Sequence, residues 1–327
     1  GAKGLSFPAM TSPTAIDPLA PASPAPAWRV HLTLILVQVT FGGFHVVAKA
    51  VISELSPLAL AAIRVGAATP VLMALAWRRD RFLPARRDLP ILALLGGLGV
   101  FANQVLFITG LKFTTATNAG ILMTSVPVFA AGAAALMGIE RITLNRSIGI
   151  LLSVAGALVL VNPFRFTAGR SGALGNGLIL TNGLCYALFL VLQRPVLTRI
   201  PWRTVTAAAF FFGGLGVLAV SLPALLALDP ARVGTGAWLG VAYIIVFPTI
   251  FAYAASTWAI RRSSPALVAA YNTLQPLVAS SLGVAFLGES FGWAEGVGFA
   301  LIAAGLWQVS KGAGTRTSTD LTRTDTG

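Results

Sequence analysis

The sequence predicts an all-α membrane protein, with ten transmembrane helices arranged as two inverted five-helix repeats. Three observations predict it. Hydrophobic residues make up 56 % of the 327-residue chain, charged residues only 10 %, and mean hydropathy is +0.82. A soluble domain carries about 25 % charged residues, so a soluble fold of this composition could not cover its own surface. Ten apolar segments follow one another, each near the roughly 20 residues a helix needs to cross about 30 Å of hydrocarbon. The second half of the chain then restates the first.

Residues 1–28 form a Pro-, Ala- and Ser-rich tail without periodicity. The first repeat occupies 29–162, and its spans run 31–52, 56–77, 88–111, 114–138 and 143–162. A linker at 163–173 leads to the second repeat at 174–310, with spans 174–196, 202–228, 236–260, 265–288 and 291–310. Residues 311–327 are a polar tail. Helix is the state that satisfies every backbone group within the segment, and no run shows the alternating ten-residue pattern of a membrane barrel.

Ten spans place both termini on one side. Of the 23 Lys and Arg residues, 17 fall on that side, including Arg78, Arg79, Arg81, Arg86 and Arg87 in one loop. Five (Lys49, Lys112, Arg165, Arg170 and Arg232) fall on the other, and Arg64 lies inside a span. This bias predicts a multi-pass protein of the cell inner (cytoplasmic) membrane with both termini cytoplasmic.

The repeat has an offset of 149 residues: Thr124 matches Thr273, Pro127 matches Pro276, Glu140 matches Glu289, Gly149 matches Gly298 and Gly156 matches Gly305. Near the start of each half the offset is 144, where Pro57 matches Pro201. Five spans per half is an odd number, so the second half enters the membrane inverted, as in transporters that hold substrate near the midplane between two repeats.

Gly110-Leu-Lys-Phe-Thr-Thr-Ala-Thr-Asn-Ala119, Pro127, Gly138-Ile-Glu-Arg-Ile142 and Gly149 to Val159 resemble the signature of the drug/metabolite transporter superfamily, EamA type. Ala259-Ile-Arg-Arg-Ser-Ser-Pro265, Pro276, Leu287-Gly-Glu-Ser290 and Gly298 to Gly305 restate it. The resemblance implies ten helices in two inverted repeats and export of metabolites, amino acids or drugs. Within the superfamily the chain looks most like the YddG-type exporters of aromatic amino acids. Two departures stand out: Leu267 stands at the repeat position equivalent to Asn118, and Arg261-Arg262 stands where the first half has Lys112-Phe113.

Polar side chains in hydrocarbon are costly, and so they face the bundle interior or water. Gln38, Phe41, His45 and Lys49 form one helical stripe, and Asn182, Tyr186, Phe189 and Gln193 form its counterpart. These stripes read either as opposite walls of one cavity or as interhelical hydrogen bonding. Asn103 and Phe107 share a face with Gly96, Gly99 and Gly110, while Asn118 lies on the fourth span. Tyr243 lies on the eighth span, with Tyr253 also present there, and Tyr271, Asn272 and Gln275 lie on the ninth. Amides can orient a carboxylate and an ammonium while aromatic faces stack on an apolar body. Pro127 and Pro276 are expected to kink the fourth and ninth helices as paired hinges. Arg64 is a candidate charge partner, read as capping helix ends or pairing with Glu54 in preference to binding a substrate carboxylate. His45 could couple protons. A facilitator or exchanger is the preferred reading, because no span carries an Asp or Glu in its middle.

The function expected is therefore secondary export of amino acids or related metabolites, aromatic or large neutral ones favoured, with a drug or other small-metabolite exporter as the alternative. The partners are the lipid bilayer and a small-molecule substrate. No cofactor, no metal and no catalytic residue is expected. A single cysteine, Cys185, excludes a disulfide scaffold, and the two histidines lie far from it in sequence. The net charge of +13 is distributed as topology rather than as a nucleic-acid surface. Protease, hydrolase and ATP-binding motifs are absent, the loops are too short for a receptor, and no filter loop suggests a channel.

Overall fold

A computed structural model describes residues 26–114, 122–140, 143–161, 170–278, 281 and 293–311. Every regular element among the described residues is helical. Six helices are long and apolar enough to cross a membrane, and Val126–Leu136, Leu144–Val159 and Gly296–Ser310 are shorter apolar helices.

Helix α1 is Ala27–Val51 and α2 is Pro57–Asp80. Ser56 caps α2 by accepting from the Ala59 N–H at 3.2 Å, and Pro57 supplies a first-turn residue that needs no N–H partner. Helix α3 (Leu89–Gly96) continues through a π-helical stretch, Gly97–Ala102, into α4 (Asn103–Phe113). Helices α5 (Val126–Leu136) and α6 (Leu144–Val161) complete the first half. The second half holds α7 (Arg170–Val196), α8 (Trp202–Leu226) and α9 (Thr235–Ile244). From α9 a second π-helical stretch, Ile245–Phe251, leads into α10 (Ala252–Arg262), then α11 (Pro265–Tyr271) and α12 (Trp293–Lys311).

The packing exchanges the two halves. α1 lies against α9 and α10, and its counterpart α7 lies against α3 and α4. α5 packs on α7, and its counterpart α11 packs on α1. The pairs α2–α8, α5–α11 and α6–α12 pack on each other across the relation. Small residues make the closest approaches: a Cβ at Gly96 would lie 2.7 Å from the Ala209 carbonyl oxygen, and one at Gly149 would lie 2.7 Å from that of Gly305. Helices in lipid gain little from hydrophobic exclusion of one another, so close van der Waals contact at such residues carries the association. Outward, Leu36, Leu75, Leu151, Leu215, Leu239 and Phe299 are exposed, the apolar exterior expected of a bundle solvated by lipid.

The fourth and ninth segments are broken rather than kinked. Helix α11 stops at Tyr271 and helical structure resumes at 274–278, with Pro276 inside the resumed piece. In the equivalent place, turn residues 124–125 precede α5, and Pro127 lies in its first two positions. A proline lacks an N–H and its ring crowds the carbonyl four residues earlier. Those carbonyls belong to Met123 and Asn272, at the breaks. Tightened bonds close them, from Ser125 N–H to Leu122 and from Gln275 N–H to Asn272, each at 3.1 Å.

Charge gathers at one end of the bundle. Asp80 at the end of α2 accepts from Arg203 of α8 at 2.9 Å and from the Thr204 hydroxyl at 3.1 Å. Asp88 pairs with Arg199 at 3.0 Å. Glu140 binds Arg146 and also accepts from the Ala266 N–H at 3.3 Å, so it serves α6 in its own half and the start of α11 in the other. At the opposite end Glu54 accepts from the Gly234 N–H at 2.6 Å.

Candidate functional site

Two polar layers cross the middle of the bundle. In the first, Gln38 of α1 is 1 % exposed and sits between two side chains of the broken ninth segment. Its Nε2 donates to Asn272 Oδ1 at 3.2 Å, and Gln275 Nε2 donates to its Oε1 at 3.0 Å. The break after Tyr271 turns Asn272 and Gln275 toward α1, so three amides from both halves meet. Elsewhere on the same two segments, the Tyr271 hydroxyl lies 2.6 Å from His31 Nδ1.

In the second layer, Asn182 Nδ2 of α7 donates to the backbone carbonyl of Asn103 at 2.6 Å, and Asn182 Oδ1 is buried without a partner. The Tyr253 hydroxyl lies 3.3 Å from the Gly99 carbonyl and 3.4 Å from Asn103 Oδ1. The Tyr253 ring packs edge-on to Phe210 at 4.9 Å, with Phe189 at 6.3 Å and Phe41 at 6.4 Å. Tyr186 extends the cluster through Phe189 at 6.1 Å. Tilted and edge-on rings at these spacings are the attractive arrangements for aromatic quadrupoles.

The two π-helical stretches place this layer. In Ile245–Phe251, Pro248 cannot donate to the Ile244 carbonyl, and the Thr249 hydroxyl does so instead at 2.6 Å. That hydroxyl in turn accepts from Arg64 Nε at 3.1 Å. In Gly97–Ala102, the Gly99 carbonyl is the one that Tyr253 reaches. A π-helical turn shifts side chains relative to an ordinary helix and leaves carbonyls free for such bonds. Gly99 is required here for space, since a Cβ would lie 2.3 Å from a carbon of the Phe189 ring.

The structure thus brings together Gln38, Asn272 and Gln275, joins Asn103 to Asn182, and sets Phe41 and Tyr186 around the Tyr253 cluster. Gln193 is fully buried and its Nε2 donates within its own helix, to Phe189, at 3.1 Å. Tyr243 stands apart from the amides, with its hydroxyl on the Thr40 carbonyl at 3.3 Å and its ring 5.3 Å from Phe247. Phe107 is half-buried on α4. Asn118 and the His45 side chain lie outside the described residues. Arg64 does not pair with Glu54, whose carboxylate is taken by Gly234 at the end of the bundle. Instead its guanidinium lies over the Phe44 ring at 5.1 Å.

Sequence reasoning missed Tyr253 as the hub, together with Phe210 and Thr249. Pro248-Thr249 in the middle of an apolar run was the available signal, because a mid-span proline frees a carbonyl that a neighbouring hydroxyl can take.

The model of the EamA-like transporter family matches residues 28–162 and again 173–311. The chain belongs to that family. An uncharacterized transporter of Archaeoglobus fulgidus is 29 % identical over 287 residues, covering 85 % of this chain and 96 % of its own. The Arabidopsis thaliana protein WALLS ARE THIN 1 is 29 % identical over 324 residues, covering 87 % of this chain and 83 % of its own. The uncharacterized transporter YyaM of Bacillus subtilis is 22 % identical over 254 residues, covering 76 % and 83 %. Among solved structures, one crystal structure superposes with a TM-score of 0.75 over 89 % of this chain and 100 % of that one, at 21 % identity, a likeness of fold. This is a multi-pass membrane protein of a transporter family with a two-repeat helical fold.

Proposed function

We propose that this EamA-family chain is an inner-membrane secondary transporter that exports amino acids or related metabolites, aromatic or large neutral ones favoured. It works by alternating access between two inverted repeats of five spans each. The observation that carries this reading is the meeting of Gln38 with Asn272 and Gln275 across the two halves, beside the aromatic cluster around Tyr253. Amides that bond each other in the absence of substrate can exchange those bonds for a substrate ammonium and carboxylate, and the rings can hold an apolar side chain.

The breaks ahead of Pro127 and Pro276 are the proposed hinges, because each has a mate in the other half and the second carries two of the three amides. The Lys and Arg bias orients the bundle with both termini in the cytoplasm. The end bearing Asp80, Asp88 and Glu140 is then cytoplasmic. Exchange or facilitated export is the coupling proposed.

Counterflow tests the reading. Labelled tryptophan, phenylalanine and leucine are offered to liposomes holding the purified protein, with and without the same compound trapped inside. Saturable uptake that rises with internal substrate is the expected result. Uptake that stays flat across an amino-acid panel removes the substrate claim.

A further inference from the structure

Arg64 is a buried cation with no acidic partner among the described residues. It is 8 % exposed, and none of the ion pairs among the described residues includes it. Arginine stays charged at any physiological pH, so a positive charge with no acid paired to it among the described residues lies inside a bundle that lipid surrounds. Among the described residues Nε donates to Thr249, the guanidinium lies over Phe44, and Tyr253 is within electrostatic reach. None of these supplies negative charge. The nearest acidic residue in sequence, Glu54, is engaged elsewhere.

The rest of the guanidinium is free to act. Nη1 and Nη2 carry four N–H donors and make no hydrogen bond to the described residues, whereas the one donor that is used anchors the side chain in place. The sealed, unpartnered polar atoms among the described residues belong to other side chains, such as Gln104, Asn182 and Arg262, and not to Arg64. The two Nη atoms therefore keep donors to offer inside the bundle, with no acceptor for them among the described residues. The Nη pair presents the planar fork that fits a carboxylate with two parallel hydrogen bonds. Thr249 and Phe44 orient that fork, and Tyr253 links it to the aromatic cluster.

We propose that Arg64 is the receptor for the substrate's anionic group, so that the transported species carries a carboxylate, held by Arg64 Nη1 and Nη2, with its apolar body toward Tyr253, Phe41 and Phe189. This inference rests on the transport reading above and narrows it: the chain carries organic carboxylates, zwitterionic amino acids among them, and rejects the matching amides and amines.

The test compares labelled tryptophan, tryptophanamide and indole-3-propionate as counterflow substrates for the wild type, Arg64→Lys and Arg64→Gln. The wild type is expected to show a KM for tryptophan lower than that for tryptophanamide by about tenfold to a hundredfold, the worth of charge-assisted hydrogen bonds. Arg64→Lys keeps charge without the fork and retains part of that preference. Arg64→Gln erases it, raising the KM for tryptophan to that for tryptophanamide. A wild type that carries the amide as well as the acid overturns the proposal, and so does an Arg64→Gln protein that still discriminates. Should Arg64→Gln fail to fold, the wild-type ratio and Arg64→Lys decide.

Failure of the amino-acid reading is separable. If no amino acid is carried, thermal stabilisation of the purified protein by indole-3-propionate, absent with its amide and reduced in Arg64→Lys, upholds the anion receptor. Absence of stabilisation by either carboxylate overturns it.

Discussion

Asp80, the last residue of α2, and Arg203, in the first turn of α8, meet at 2.9 Å across the boundary between the two halves. Asp80 is 7 % exposed and also accepts from Thr204, while the Arg203 side chain is 37 % exposed. The pair thus has a buried acid and a half-wet base. Beside it, Asp88 meets Arg199 and Glu140 meets Ala266 N–H, so three carboxylates of the first half grip the second at one end. At the other end a single carboxylate among the described residues, Glu54, does so. The conformation described is fastened at the proposed cytoplasmic end. Removing the charge of Asp80 should loosen that end. Asp80→Asn, made with Ala266→Cys in a Cys185→Ala background, is expected to speed labelling of the new cysteine by an impermeant maleimide about threefold. That factor corresponds to under about 1 kcal/mol, suitable for a pair whose base is partly screened by water. An unchanged labelling rate would mean that the ion pair does not bias the equilibrium.

Gln38→Leu separates a substrate contact from a structural one. The substitution removes both of the glutamine's hydrogen bonds and leaves Asn272 and Gln275 to find other partners. Interhelical hydrogen bonds in membranes contribute on average only about 0.6 kcal/mol, since the alternatives within the bundle also satisfy the groups. The melting temperature in detergent is therefore expected to fall by no more than a few degrees, while counterflow of the best substrate falls about tenfold or more. A large loss of stability with a proportionate loss of transport would assign the amides to packing alone.

Tyr253→Phe isolates the hydroxyl from the ring. The ring contacts to Phe210, Phe189 and Phe41 survive, and only the bonds to the Gly99 carbonyl and Asn103 are lost. Both oxygens lie at the long end of hydrogen-bond distance, so a stability change below about 1 kcal/mol is expected. Transport should persist with KM raised a few-fold, because Asn103 loses its orienting partner. Gly99→Ala probes the same place from the opposite helix. Its Cβ would lie 2.3 Å from a Phe189 ring carbon, so that ring, which packs on Tyr253, must shift. Kinetic damage from Gly99→Ala should exceed that from Tyr253→Phe, and equal damage would count against the aromatic cluster as a substrate surface.

The helices were legible because partition into lipid sums over a whole segment, so a run such as 202–228 declares itself whatever its neighbours do. Structure gives α8 as Trp202–Leu226. The pairing of halves was legible in Pro127 and Pro276, which both sit just after a break. What could not be read was the backbone between the runs of regular helix. The face through Gly96, Gly99, Asn103 and Phe107 assumed 3.6 residues per turn, yet Gly97–Ala102 is π-helical and resets the rotation of α4 beyond it. The direction of a polar side chain was readable, but its partner was not. Asn182 points inward as hydrocarbon demands, and its amide meets the Asn103 carbonyl, just beyond the π turn. Arg64 shows the same limit: its depth was visible in sequence, and its separation from Glu54 was not, since Glu54 is ten residues away in sequence but committed to Gly234.

Gly156→Leu provides a contrast to the site variants, because it strikes the seam between the halves on helices that hold none of the amides. Helices α6 and α12 pack against each other, and a Cβ at Gly156 would lie 2.7 Å from the Gly298 carbonyl oxygen and 2.9 Å from the Ile302 side chain. A backbone oxygen cannot step aside as a flexible side chain can, so the two helices must separate. Forcing bulk into a packed contact costs about 1–3 kcal/mol, and here it also forfeits the close approach that stands in for hydrophobic association in lipid. The melting temperature and the yield of folded protein should therefore fall clearly. The fraction that remains folded should keep wild-type KM and wild-type preference for tryptophan over its amide, because Arg64, Gln38 and Tyr253 lie on other helices. A raised KM in that folded fraction would mean that α6 and α12 move with the substrate site rather than serving as a static seam.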